Sequence, residues 1–338
     1  MWQPLLFMLA LTSIITGGLG GRRHVSSTAS TVRAATCAGG DTLTALAQRW
    51  ADAVHATDPK LAVAIDTKVK LAAGGFTELL AGEADCVLFV REPFPAEDAA
   101  FRAKFGRAPS LIPIAGGSYA TKGATHAIAI YVNAANPLRG LSLAQLDALF
   151  SAERRRGGAE VRTWGDLGLS GAWAMRPIHR YGMLTKRESG NPPGVVNYLQ
   201  HRVLLDGPFR TDIAQQVDQP GEQALAVIVR RVGEDVEGVG YSGFGYAAGP
   251  VRVVPLAEQA GGPFVAGTAL SVADRSYPLS RRIYVMIDRR PGQALDPALK
   301  AFLAEALSPH GQAMLKADKQ GFLPLTDEDA ASAQQLVK

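Results

Sequence analysis

Ala127-Ile-Ala-Ile-Tyr-Val132 is a continuous apolar run, closed by Asn133 to Pro137 and followed from about Ser142 to Phe150 by a helical stretch. The run reads as a strand buried on both faces. Ser142 suits an N-cap, because its hydroxyl can accept an orphan amide of the first turn. Strand, turn and helix units precede this point, and after it the pattern restarts. The chain therefore reads as two α/β lobes with mainly parallel sheets.

Upstream, Thr31 to Cys37 is a short strand interrupted by Gly39-Gly40-Asp41-Thr42, after which Leu43, Leu46, Ala47, Trp50 and Val54 recur at helical spacing. A second unit runs through 60–66, Gly74-Gly75, a helix at Phe76–Ala81 and the apolar run Cys86-Val-Leu-Phe-Val90. Downstream, a loop carries Arg154-Arg-Arg156 and Trp164, and a strand at Ile178–Tyr181 leads through Ser189-Gly190-Asn191 into a helix ending near Leu205. A helix at 222–232, strands at 236–241 and 282–287, and a helix from Pro297 to Leu307 complete the pattern. Periodicity alone leaves open whether the late strand and helix return to the first lobe.

The start of the chain carries a different signal. Leu5 to Ile15 is apolar, short, and followed by Thr16, Gly17 and Gly18, the pattern of a secretory signal rather than a bilayer span. No Lys or Arg precedes the run, while Arg22 and Arg23 follow it, so an uncleaved anchor is the alternative. The expectation is a signal at 1–20, a small polar linker at 21–33 and a periplasmic protein.

The composition, 47% apolar and 20% charged over 338 residues, is enough for two cores. A net charge of +4 suits small anions, and no basic cluster interleaved with aromatics points to nucleic acid. The two cysteines, Cys37 and Cys86, permit one disulfide in an exported chain. Cross-strand geometry in a parallel sheet is poor for a bridge, so two buried thiols are expected. Ala34-Ala35-Thr36 makes a poor lipobox before Cys37.

Two strand-to-helix turns could carry chemistry: Gly39 to Thr42 and Ser189 to Asn191. A helix start offers unpaired amides and the positive end of the macrodipole, and glycine lets an oxyanion approach that backbone. Asp41 and Thr42 could equally be caps. The enzymatic alternatives are thin. Six histidines show no metal-ligand spacing, Ser189 has Arg187 where a nucleophile elbow needs Gly, and Gly240-Tyr-Ser-Gly-Phe244 fails at its last position. No cofactor is implied. Arg154 to Arg156 reads as a solvated loop, and Trp164 and Trp173 as lobe core.

Several stretches resemble the phosphate-binding-protein-like family of periplasmic solute receptors that serve ABC importers. Gly39-Gly-Asp-Thr-Leu with Trp50 looks like its first anion loop and helix. Arg91-Glu-Pro-Phe-Pro-Ala-Glu-Asp98 is similar to the segment after its third strand. Tyr131-Val-Asn133, Asn136-Pro-Leu138, Leu141 to Leu146 and Phe150-Ser151 follow its hinge and opening second-lobe helix. Thr163 to Gly168, Val239-Gly-Tyr241, Tyr277 to Arg281, Leu307-Ser308 with Gly311-Gln312, and Gly321 to Leu325 continue the likeness in order.

The resemblance implies a two-lobed periplasmic binding protein fold of type II, with two hinge crossovers. Lobe one would comprise 34–132 and 282–330, and lobe two 133–281. It also implies a site between Gly40, Asp41, Thr42 and Arg91 on one side and Arg187, Ser189, Gly190 and Asn191 on the other. Phosphate or a related oxyanion would be held there by a monomer, for an ABC permease or for sensing. Departures fall on that shell: Gly40 and Val90 stand where the family commonly has Ser, Met183 follows Tyr181-Gly182 where it has Arg, and Asn191 replaces Thr. The rival expectation is an interaction protein that kept the fold and lost tight anion binding.

Overall fold

The computed structural model describes residues 34–338 apart from 41, 69, 70 and 189, so the expected signal and linker lie outside the described residues. In chain order the strands are β1 (Ala35–Ala38), β2 (Val63–Asp66), β3 (Cys86–Phe89), β4 (Ser110–Gly116), β5 (Ile128–Asn133), β6 (Leu141–Ser142), β7 (His179–Met183), β8 (Ala214–Gln216), β9 (Gly238–Gly243), β10 (Val251–Val253), β11 (Leu256–Ala257) and β12 (Arg282–Ile287). The helices are α1 (Thr44–Thr57), α2 (Ala72–Ala81), α3 (Pro95–Phe105), α4 (Leu143–Phe150), α5 (Gly194–Arg202), α6 (Ala224–Glu234), α7 (Ala269–Ala273), α8 (Pro297–Ala306), α9 (Pro309–Lys316) and α10 (Asp327–Val337).

One five-stranded sheet has the order β2-β1-β3-β12-β4, the other β10-β5-β9-β7-β8, and β11 pairs with β6. Both large sheets are mixed. β1 is parallel to β2 and β3, and β7 to β8 and β9, whereas β12 is antiparallel to both its neighbours, as is β5. The reason is connectivity. β5 and β12 each enter their sheet from outside it, not by a strand-helix-strand crossover from a neighbouring strand of the same sheet, so they are not held to the parallel direction. The two passages between the sheets run side by side: Gly117 N donates to Arg281 O at 2.8 Å and Ile128 N to Leu279 O at 3.1 Å.

β4 was not foreseen. Its Pro113 argues against a strand, but β4 lies at the edge of the sheet, with a bulge opposite Ile283 and Tyr284, and an edge tolerates a missing donor. The late strand and helix complete the first sheet's core, where Trp50 of α1 meets Phe302 of α8 edge-on at 6.2 Å. Trp50 Nε1 also donates to Gly311 O of α9 at 3.1 Å, which satisfies its buried polar atom. α10, also unforeseen, is pinned by Asp329, which accepts from Arg275 at 2.9 Å and from Arg282.

The cysteines correct the expectation of two thiols. Cys37 and Cys86 are directly opposed in the register of β1 and β3, their Cα atoms 4.5 Å apart, and they form a buried disulfide. Direct opposition brings the Cα pair inside bridging distance. Arg155 and Arg156 are not merely solvated either. Arg156 donates to the carbonyls of Arg202 and Val203 at 2.5 and 2.7 Å, and Arg155 to that of Leu205 at 2.8 Å, covering the orphan carbonyls at the end of α5. Trp164 is fully buried, with Trp173 edge-on to it at 6.3 Å.

Candidate functional site

A cavity of about 590 Å³ is lined by residues from both sheets' connections. Thr42 stands two residues before α1, Ala72 and Ala73 open α2, Pro193, Gly194 and Val195 open α5, and Gln223 precedes α6. Four helix starts thus face one cavity. Sequence reasoning picked out the turns before α1 and α5. It missed those of α2 and α6, because Leu71 and Gln223 at their N-cap positions are not capping residue types.

Among the described residues, the N-cap side chains of α1, α2, α5 and α6 make no capping hydrogen bond. The first amide of α1 donates to Gly40 O at 3.0 Å and that of α6 to Asp218 Oδ1 at 2.8 Å, and Asp218 itself lines the cavity. The partial positive charge of these starts faces the cavity, offset at α6 by the Asp218 carboxylate.

Of the expected site residues, Thr42, Arg91, Arg187 and Asn191 line the cavity, while Asp41 and Ser189 lie outside the described residues. Gly40 and Gly190 shape turns rather than line the space. Gly40 has φ +70°, and a Cβ there would stand 2.6 Å from the Leu88 carbonyl oxygen, so the turn packs flat on β3. Its own carbonyl accepts from the amides of Leu43 and Thr44. Gly190, φ +84°, donates to Arg187 O at 2.9 Å, and Arg187 N donates to Asn191 O at 3.1 Å, which closes a tight loop.

The arginines divide by partner. Arg91 gives its fork to Glu97 at 2.8 and 2.6 Å, donates to the Glu92 carbonyl at 3.0 Å and lies 3.7 Å from the Phe94 ring centroid. It is held in an ion pair, not presented as a free bidentate donor. Arg281, which sequence reasoning placed in a family stretch without a role, is nearly buried and pairs with Glu92 at 2.6 Å. The side chain of Arg187 is exposed and has no partner among the described residues.

A polar wall was also missed. Thr125 donates to the Val90 carbonyl, and Tyr246 OH to Gln223 Oε1 at 2.6 Å. His126 is buried beside them, its ring 5.8 Å from that of Tyr246, and burial, aided by the charge of Arg281, pushes its pKa down to about 4. No periodicity marks a loop histidine as a cleft residue. Outside the cavity, among the described residues, His179, Asp235 and Glu237 form the one cluster with metal-ligand types. There Asp235 Oδ2 is engaged by His179 at 2.7 Å and by Tyr181 OH at 2.9 Å.

Two mixed α/β sheets joined by two passages, with helix starts gathered on a cleft, define a two-lobed binding protein. A family model described as the PBP superfamily domain matches residues 24–310, and the chain belongs to that superfamily. It is 34% identical over 299 residues to the phosphate-binding protein PstS of Pseudomonas aeruginosa, across 87% of this chain and 84% of that one. The solved structure of PstS from Borrelia burgdorferi aligns with TM-score 0.53 at 12% identity, covering 87% of this chain and 99% of that one. An ABC-type phosphate transport receptor from Vibrio cholerae aligns with TM-score 0.51 at 16% identity, covering 86% and 100%. At those identities the structures speak to the fold. The relatives are binding proteins, and no described helix is long and apolar enough to cross a membrane.

Proposed function

We propose that this chain is an exported, periplasmic receptor that captures phosphate or a related oxyanion between its lobes. It would act as a monomer and deliver the anion to an ABC permease or to a sensor. The supporting observation is the convergence of four helix starts on one cavity that is also lined by Arg187, whose side chain has no partner among the described residues. Backbone amides and the macrodipole favour an anion there, and the Arg187 guanidinium can add bidentate charge-assisted bonds. The other two lining arginines are balanced by Glu97 and Glu92, so they order the wall and add little net charge. The name of the PstS relative agrees with phosphate as the ligand.

Thr42, Arg187 and Asn191 are the proposed contacts, together with the amides around Asp41 and Ser189, and Gly190 closes the loop that carries Arg187 and Asn191. Gly40 is given the task of seating the first turn, and Arg91 that of bracing the wall. The rival reading, an interaction protein with a degenerate site, is disfavoured by a cleft that keeps its helix starts and the exposed Arg187. Calorimetry with phosphate on protein stripped of bound anion is the test. Arg187→Ala should weaken binding about 10- to 150-fold, the worth of a hydrogen bond to a charged group. Its melting point should hardly move, because the side chain is exposed. No anion binding by the wild type would hand the case to the rival.

A further inference from the structure

Part of the cleft wall does not suit a bare oxyanion. Arg91 is engaged by Glu97, Arg281 by Glu92, Thr125 by the Val90 carbonyl and Tyr246 by Gln223. Beside them Val90, just past β3, Met183, the last residue of β7, and Leu225, in the first turn of α6, line the same space. None of these side chains can donate to an oxygen. Alternation along β7 sets Met183 on the same face as Tyr181, whose hydroxyl reaches Asp235 at the end of α6 at 2.9 Å. Met183 therefore lies on the face that α6 covers, toward the helix start that carries Leu225. Asp218 caps that start and lines the cavity, so an anionic oxygen brought there would meet a carboxylate. The cavity, about 590 Å³, is of the size that encloses organic ligands. Closing the cleft can shrink the space, but the same side chains still line it.

We propose that the cleft selects an oxyanion bearing a small apolar organic group, of the phosphate monoester class, with that group packed on Met183 and Leu225. The inference rests on the oxyanion reading above. A monoester keeps its terminal oxygens for Arg187 and the helix starts. Its organic group covers the wall that no oxygen can bond and stands between the anion and Asp218. Burying apolar surface on both partners is favourable, whereas inorganic phosphate would leave the same side chains against water or against its own oxygens. Met183 suits the task, because an unbranched, polarizable side chain adapts to groups of different shape.

Calorimetry with inorganic phosphate and with propyl phosphate, on protein stripped of bound anion, reads the ratio of the two affinities. Each methylene buried on an apolar wall is worth about fourfold, so the wild type should bind propyl phosphate at least about tenfold more tightly. Met183→Ser removes the apolar contact and should lower that ratio at least about threefold, whereas Met183→Leu should keep most of it. A merely structural lesion would weaken both ligands together and leave the ratio alone, which would overturn the assignment to Met183. A wild type that binds inorganic phosphate as tightly as the ester, or more so, overturns the monoester class and leaves the oxyanion receptor standing. A wild type that binds neither overturns the receptor reading itself, and the ligand class with it.

Discussion

The helices of this protein begin in two ways. α4, α7, α8, α9 and α10 start on Ser142, Thr268, Asp296, Ser308 and Thr326, and in each the side chain accepts a hydrogen bond from a first-turn amide. α1, α2, α3, α5 and α6 start on Leu43, Leu71, Phe94, Pro193 and Gln223, whose side chains do not. The capped starts lie away from the cavity, and the uncapped ones open onto it. A cap is worth about 1 kcal/mol of stability. Forgoing it repeatedly at one place makes physical sense if the amides and their dipole serve a ligand instead.

An uncapped start must be held by something else, and for α1 that is the strand beneath it. Cys37 stands three residues before Gly40, Cys86 two residues before Leu88, and Gly40 packs on Leu88. The disulfide thus staples the two strands that seat the turn. Replacing the pair together, Cys37→Ala with Cys86→Ala, should lower unfolding stability by about 2–4 kcal/mol. Anion affinity should fall too, because the seat of the α1 turn loosens. Urea titration and calorimetry on the oxidised wild type and the double variant measure both. Unchanged affinity would mean that Gly40 packing alone seats the turn.

The capped class predicts a smaller and separable effect. Asp296 Oδ1 accepts from the amides of Ala298 and Leu299 at 2.9 and 3.1 Å. Asp296→Ala should cost about 1 kcal/mol of stability and leave anion affinity as it was. A loss of affinity from this remote cap would blur the division between the two kinds of helix start.

The same division decides what the sequence discloses. Ser142 was legible as a cap, and the structure adds its partner, since Gln145 N donates to Ser142 Oγ at 3.2 Å and Gln145 Oε1 accepts from Ser142 N at 2.9 Å. The buried run now assigned to β5 and the late strand β12 were legible from apolar continuity. The start of α2 was read too late, at Phe76 instead of Ala72, because Leu71 carries no start signature. Functional helix starts are thus the hardest to see, since they lack the residues that announce a helix. β4 was hidden by Pro113, whose cost depends on an edge position that only the sheet order reveals. The pairing of Arg91 with Glu97 and of Arg281 with Glu92 was hidden as well. An arginine beside a cleft reads as an anion ligand until its own carboxylate is located.

The smallest effect tests the comparison most directly, by converting one class of start into the other. Leu71 precedes α2 with φ −99° and ψ 147°, the extended conformation an N-cap adopts, and it is 65% exposed at the cavity's edge. Leu71→Asp should therefore cap α2 with little strain. Its carboxylate would accept a first-turn amide and lie at the positive end of the dipole, so stability should rise by about 0.5–1 kcal/mol. The same carboxylate would occupy amides proposed for the ligand and bring a negative charge to the cleft, so phosphate affinity should fall. Leu71→Asn supplies a cap without the charge and should give a smaller loss of affinity at a similar gain in stability. Thermal unfolding and calorimetry on both variants read the two quantities side by side. A gain in stability with unchanged affinity in both would show that the start of α2 takes no part in holding the anion.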